Sequence, residues 1–451
     1  MIKTIFKTSM LITIMISCNS VVSAEDLKSA LTTAYINNPT LEANRAAQRA
    51  TDEIINQAKA GWRPTVAGTG SWANQKNDRA GSFLSTSTTK PKSLGISIEQ
   101  PIFRGLRTVN GTNEARQQAQ AGRAQLLNTE QQIFSAAVQA YSDVIRDEAV
   151  LNLTKNNVLV LKRQLQASED RFEVGEITRT DVAQSKARLS RAISTNILSE
   201  ANLTANRAAY QRIVGNEPGS LDTNVELPAL PASEEAALEM AFRNNPTILA
   251  AKATEKAADY NVKKQFGGLS PSVSVAASYT KSWDTFLPGD KTTAKAVIAR
   301  LNVPIYQAGI QASNVRQAKQ RRSQYRMESI AAERNVHEQV RNAWEGYREA
   351  SARIVSTLSQ LEANEIALEG VRQEADVGSR TILDVLDAEQ ELLDARVNNT
   401  RAVRDRTVAA YNLLLSIGSL NAKSLGLDVA LYDAVGRSNA TENKLYGFGV
   451  E

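Results

Sequence analysis

Over most of the chain the apolar residues recur three and four apart, as in Val158, Leu161, Leu165 and Phe172, or Tyr347, Ile354, Leu358, Leu361 and Leu368. Gln, Asn, Arg and Glu fill most positions between them. Such a narrow seam on a polar helix predicts coiled-coil packing rather than a thick core. Two stretches of this kind, 107–173 and 310–376, contain no proline. At about 67 residues each they would run roughly 100 Å as helices, against about 11 or 12 residues for an ordinary globular helix.

The period changes to two at 93–99 and again at 272–275, where small or polar residues alternate with Leu, Ile and Val. Alternation predicts half-buried strands, and 65–74 and 294–303 read as their partners. The loops between, at 81–89 and 287–290, are polar and rich in turn residues. Aromatics gather here: Trp62, Trp72, Phe83 and Phe103 in one set, Tyr279, Trp283, Phe286 and Tyr306 in the other. Trp62, Trp72, Tyr279 and Trp283 suit a membrane interface, although a soluble sheet also uses aromatic anchors.

The pattern occurs twice. Asn37-Asn38-Pro39-Thr40-Leu41 returns as Asn244-Asn245-Pro246-Thr247-Ile248, and Pro101-Ile102-Phe103 as Pro304-Ile305-Tyr306. Between long helical stretches, Val174-Gly175-Glu176 with Asp181-Val182 reappears as Val377-Gly378-Ser379 with Asp384-Val385, 203 positions on (378 − 175). Ordered matches with slowly drifting offset indicate a tandem duplication. We read 25–216 as the first repeat, the Pro-rich 217–232 as a linker, 233–420 as the second repeat and 421–451 as a tail. Each repeat is expected to run helix, strand, loop, strand, very long helix, Gly turn, helix.

Lys3 and Lys7, the apolar run from Met10 to Ile16 and Val22-Ser23-Ala24 form a secretory signal with a small-x-small cleavage site, so 1–24 is expected to be removed. The sole cysteine, Cys18, goes with it, which excludes disulfides and thiol chemistry from the mature chain. Losing the two lysines lowers the formal charge from +5 to +3, too weak and dispersed a bias for nucleic acid. The sole histidine, His337, stands among Arg334, Glu338 and Arg341, and no metal-ligand spacing or phosphate-binding Gly loop is present. No cofactor is implied, and an enzyme is not expected.

Two strands per repeat make four. In a bilayer an open sheet leaves edge N–H and C=O groups without partners, and single-chain bacterial barrels begin at about eight strands. A membrane sheet of this chain must therefore be completed by other copies.

The paired Gly turns, the Asn-Asn-Pro segments and the Pro-Ile-Phe and Pro-Ile-Tyr strand ends resemble the TolC family of outer membrane efflux proteins, over nearly the whole mature chain. The resemblance implies an α+β membrane protein in the cell outer membrane, in contact with its lipid. A long coiled-coil α-helical barrel would continue a transmembrane β-barrel, both completed by a homotrimer of twelve strands. It also implies a passive exit duct for efflux or type I secretion, gated at its periplasmic tip. There the turns, Val174, Gly175, Glu176, Val377, Gly378 and Ser379, would dock a periplasmic membrane-fusion adaptor and, through it, an inner-membrane pump or secretion ATPase.

Thr178 and Thr381 each precede an acid by three residues, so Asp181 and Asp384 are expected in capping boxes. Asp387 is left over, since the first repeat has Gln184 at that position. In a trimer Asp384 and Asp387 would form carboxylate rings that attract cations. By resemblance these rings are the constriction, and Arg380 pairs with Asp181 to hold the entrance closed. Some relatives carry Tyr where this chain has Ala375, so a differently latched gate is expected. The competing reading is a soluble periplasmic coiled-coil adaptor, which would use the long helices but not the duplicated strand pairs.

Overall fold

The computed structural model describes residues 24–78, 86–285, 289–442, 447 and 449. The signal segment with Cys18 and the loop aromatics Phe83 and Phe286 lie outside them. Two helices open each half: α1 (Leu27–Asn37) and α2 (Pro39–Lys59), and in the second half α5 (Glu234–Asn244) and α6 (Pro246–Phe266). The Asn-Pro pairs divide them. Asn38 Oδ1 accepts the Thr40 N–H at 2.9 Å while its amide donates to Ile213 O at 2.8 Å. Asn245 repeats this with the Thr247 N–H at 2.9 Å and Ser416 O at 2.8 Å. Each asparagine thus caps one helix and ties it to the end of another, and the following proline occupies a first-turn position that needs no N–H.

Short 3-10 turns, Ala60–Trp62 and Gly267–Leu269, lead from α2 and α6 into strands. The strands are β1 (Thr65–Trp72), β2 (Gln75–Asp78), β3 (Thr86–Thr89), β4 (Lys92–Phe103), β5 (Ser272–Trp283) and β6 (Lys291–Asn302). An antiparallel four-stranded sheet has the order β1-β4-β5-β6. The strands differ from the alternation in two ways. Although 81–89 reads as loop, its Thr-rich end is β3, paired with β2 in a separate two-stranded ladder. β4 also runs past Pro101, where a register shift before Phe103 accommodates the missing N–H.

Cross-strand register sorts the sheet into two chemically different faces. Val66, Ile98, Ala277 and Val297 form one row, and Phe103, Val273 and Leu301 lie in another on the same face. Behind them, Ala67, Ser97, Ser278 and Ala296 form a row on the opposite face, with Thr69, Gly95, Thr280 and Ala294 next to it. Apolar residues on one face and small or polar ones on the other are what lipid and a watery interior require of a barrel wall.

The long helices are α3 (Arg107–Glu173) and α7 (Ile310–Asp376), followed by α4 (Arg179–Val214) and α8 (Ile382–Ser416). α3 packs on α2, α4, α6 and α8, and α7 on α6 and α8. The helices therefore form a layer with α2 and α4, end to end, at one edge and α7 at the other. Both edges keep apolar side chains exposed: Ile193 and Ile197 on α4, and Val355, Leu358 and Ile366 on α7.

The main core sits at mid-height, where Phe134, Val138, Tyr141 and Val144 of α3 meet Leu31 and Tyr35 of α1, Tyr210 and Val214 of α4, Leu413 of α8 and Ile417 just beyond it. The tail, unreadable from sequence, is built into this belt. Glu130 accepts the Ala422 N–H at 2.8 Å, the Tyr432 N–H donates to Tyr35 Oη at 3.0 Å, and Arg45 stacks 4.4 Å from the Tyr35 ring. A last helix, α9 (Ala434–Thr441), lies against α2, and Glu442 pairs with Lys59 at 2.7 Å and Arg116 at 2.9 Å.

Candidate functional site

At the end of the helices farthest from the sheet, two short turns reverse the chain by the same means. Gly175, at φ +80°, donates to Phe172 O at 2.9 Å, and the Glu176 N–H donates to Arg171 O at 2.9 Å. Gly378, also at φ +80°, donates to Ala375 O at 3.0 Å, and the Ser379 N–H to Glu374 O at 2.9 Å. This is the Schellman arrangement, which satisfies the last carbonyls of a helix and favours glycine in the left-handed position. Capping boxes then start α4 and α8 within a few residues. Asp181 accepts from the Thr178 N–H at 2.9 Å and hydroxyl at 2.7 Å; Asp384 accepts from those of Thr381 at 2.9 and 2.8 Å.

These bonds hold both carboxyls below the ordinary carboxylate range, the Thr178 hydroxyl leading for Asp181 and the Thr381 N–H for Asp384. The caps are therefore complete above the unfolded carboxylate pKa and are lost only as pH falls through the lower folded value. At neutral pH both acids are charged.

Arg380 and Asp181 do not meet within one chain. Arg380 Nε donates to Glu374 Oε2 at 2.8 Å, a bond that raises the guanidinium pKa, while Asp181 is engaged by Thr178. Asp387 is also held within the chain: it forms an ion pair with Arg188 of α4 that joins the two hairpins. Glu374 and Arg188 were not singled out from the sequence. The available signal for Arg188 was its place seven residues after Asp181, two helical turns on and on the same face.

Beside this ion pair, near the tip and among the described residues, the apolar cluster that the hairpins share is small: Leu161, Ala192 and Leu386, backed by Val158, Leu189 and Ile382. Ala375 lines a groove of about 450 Å³ with Arg171 and Arg372 between the hairpins. The outermost apolar side chains are uncovered, Val174 at 71% and Val377 at 81% exposure. A tip with exact caps but little apolar contact between its hairpins can shift one hairpin against the other without unfolding either.

At the opposite end, Trp72, Tyr279 and Trp283 stand on the apolar face of the sheet near its loops, and Trp62 is half exposed where α2 passes into β1. Among the described residues no helix is long and apolar enough to cross a membrane, and no group of His, Cys, Asp and Glu could hold a metal. His337 lies exposed on α7.

The family model described as "Outer membrane efflux protein" matches residues 30–216 and 237–419. Outer membrane efflux protein BepC of Brucella suis is 34% identical over 94% of this chain and 92% of its own length. Outer membrane protein TolC of Vibrio cholerae is 27% identical over 91% of this chain and 96% of its own. Among solved structures, the CmeC outer membrane channel of Campylobacter jejuni superposes with a TM-score of 0.79 at 15% identity, over 92% of this chain and 89% of that one. With its sheet in the outer membrane and its helices in the periplasm, the chain belongs to the outer membrane efflux protein family, whose members are passive channels and not enzymes.

Proposed function

We propose that three copies close into a single conduit, a twelve-strand barrel continued by a helical tunnel, whose tip is shut at rest and opened by a docked adaptor and inner-membrane pump. One observation carries this reading: the chain is an open wall with two unlike edges. β1 and the α2–α4 stack form one edge, β6 and α7 the other. Unlike edges join head to tail, and such contacts either close into a ring or run on as a filament. Closure pairs the strand edges and covers Ile193, Ile197, Val355 and Ile366.

The exposed Val174 and Val377, flanked by Gly175, Glu176, Gly378 and Ser379, form the docking rim for the adaptor. In the ring, Asp384 and Asp387 face the passage. Arg188 offsets part of the Asp387 charge, so the Asp384 ring carries more of the cation preference. Arg380 lies at the seam, exchanging Glu374 of its own chain for Asp181 of a neighbour when the tip is closed.

Planar-bilayer conductance tests the gate. Arg380→Ser leaves both capping boxes intact and is expected to raise single-channel conductance severalfold. Glu374→Gln, which frees Arg380 for Asp181, should leave it at or below the wild-type level. Wild-type conductance in Arg380→Ser removes Arg380 from the latch.

A further inference from the structure

At the loop end of the sheet, the apolar face changes character. Its outermost row runs Trp72, Lys92, Trp283, Lys291 across all four strands, each residue directly opposite the next. One row inward Leu94 faces Lys281, and in the row after that Ile96, Tyr279 and Lys295 stand side by side. Four lysines therefore share the lipid-facing side with three aromatic rings. All four are exposed. Lys281 Nζ lies 5.5 Å from the centre of the Trp283 ring and Lys295 Nζ 5.9 Å from that of Tyr279.

No acidic residue occupies these rows. The nearest acids in sequence, Asp284 and Asp290, are turned into the hairpin, where they accept the Gly289 N–H at 2.6 Å and the Thr285 N–H at 2.7 Å. Lysines on a lipid-facing surface are costly at mid-membrane and inexpensive near its boundary, where long stems lift the ammonium to headgroup level. Aromatic girdles mark that boundary. The helices extend from the other end of the sheet into the periplasm, so this row lies at the outer leaflet.

We propose that Lys92, Lys281, Lys291 and Lys295 form a binding patch for the phosphate groups of a phosphorylated glycolipid in the outer leaflet, with Trp72, Tyr279 and Trp283 seating its sugar and upper acyl region. Acyl chains then lie along Leu94, Ile96 and Ile98. Each ammonium supplies three donors and a point charge to a phosphate. The patch is complete within one chain and does not depend on the number of copies in the ring.

The test uses the full-length protein purified in mild detergent. Bound bisphosphorylated lipid A per chain is measured by mass spectrometry after titration, in parallel with its dephosphorylated form and with phosphatidylglycerol. Wild type is expected to retain lipid A over both. The Lys92→Gln, Lys281→Gln, Lys291→Gln and Lys295→Gln combination should lose on the order of tenfold or more in retention, while the four Lys→Arg replacements should keep it. If the fourfold Gln variant gives no heat-labile oligomer, the Lys92/Lys291 and Lys281/Lys295 pairs are read in the same way. Equal retention by wild type and the Gln variants overturns the proposal, as does equal retention of phosphatidylglycerol by wild type. Oligomer size, measured on the same samples, separates failure of the patch from failure of the ring.

Discussion

Replacing Gly418 with alanine is expected to abolish the assembled channel, whereas the same change at Gly378 leaves it intact. Both glycines sit at positive φ, +79° and +80°, and for each an L side chain costs about 1–2 kcal/mol of backbone strain. Space distinguishes them. A Cβ at Gly378 meets nothing, but at Gly418 it would lie 2.6 Å from Asn244 O and 2.7 Å from Asn245 Cα. Both contacts are to backbone, which cannot step aside as a side chain can.

The segment they would displace includes the asparagine that caps α6 and holds the end of α8. Gly418 O also accepts the amide of fully buried Gln131 at 2.8 Å. Overpacking and lost bonds add to the strain for a total on the order of 3–5 kcal/mol. The yield of heat-labile oligomer in outer membranes reads this directly. A wild-type yield of Gly418→Ala would show that the packing of the end of α8 on the α5–α6 junction is looser than its contacts require.

Ile98→Arg is expected to block insertion while its neighbour Ser97→Arg inserts and narrows the channel. The two are adjacent on β4 and point to opposite faces. Ile98 is six residues along the strand from Lys92, about 20 Å, or about 15 Å along the membrane normal at a strand tilt near 40°. That places it farther into the hydrocarbon than the rows of the four lysines, at a depth where a lipid-facing arginine costs up to about 2–4 kcal/mol per chain, three times over in a trimer. At Ser97 the guanidinium would reach the watery interior, with little cost to insertion and a fall in conductance. Comparable insertion of both variants would contradict the assignment of faces.

Helices of this length were legible because proline is absent from 107–173 and 310–376, and α3 and α7 end where those runs end. The capping boxes were readable for the same kind of reason: Thr178 and Asp181, like Thr381 and Asp384, interact through neighbouring backbone. Strand length was less visible. Ala276 and Ala277 interrupt the alternation of β5, and only pairing with β4 and β6 reveals its full extent to Trp283.

Long-range pairs were the least accessible. Arg188 and Asp387 are 199 residues apart and meet because the hairpins pack side by side. Arg380 and Glu374 lie closer in sequence, yet their bond spans the Gly turn and depends on its shape. The tail carried no periodicity because it is held irregularly, by Ala422 and Leu427 in the core and by contacts from Glu130, Tyr35, Lys59 and Arg116, each on a different part of the chain.

A four-stranded wall with unlike edges must close through copies of itself. Native mass spectrometry of the detergent-purified full-length protein tests it most directly. Three chains per particle are expected, dissociating to single chains on heating without a stable dimer. A monomer, or a ring of any other number, would contradict the proposed conduit.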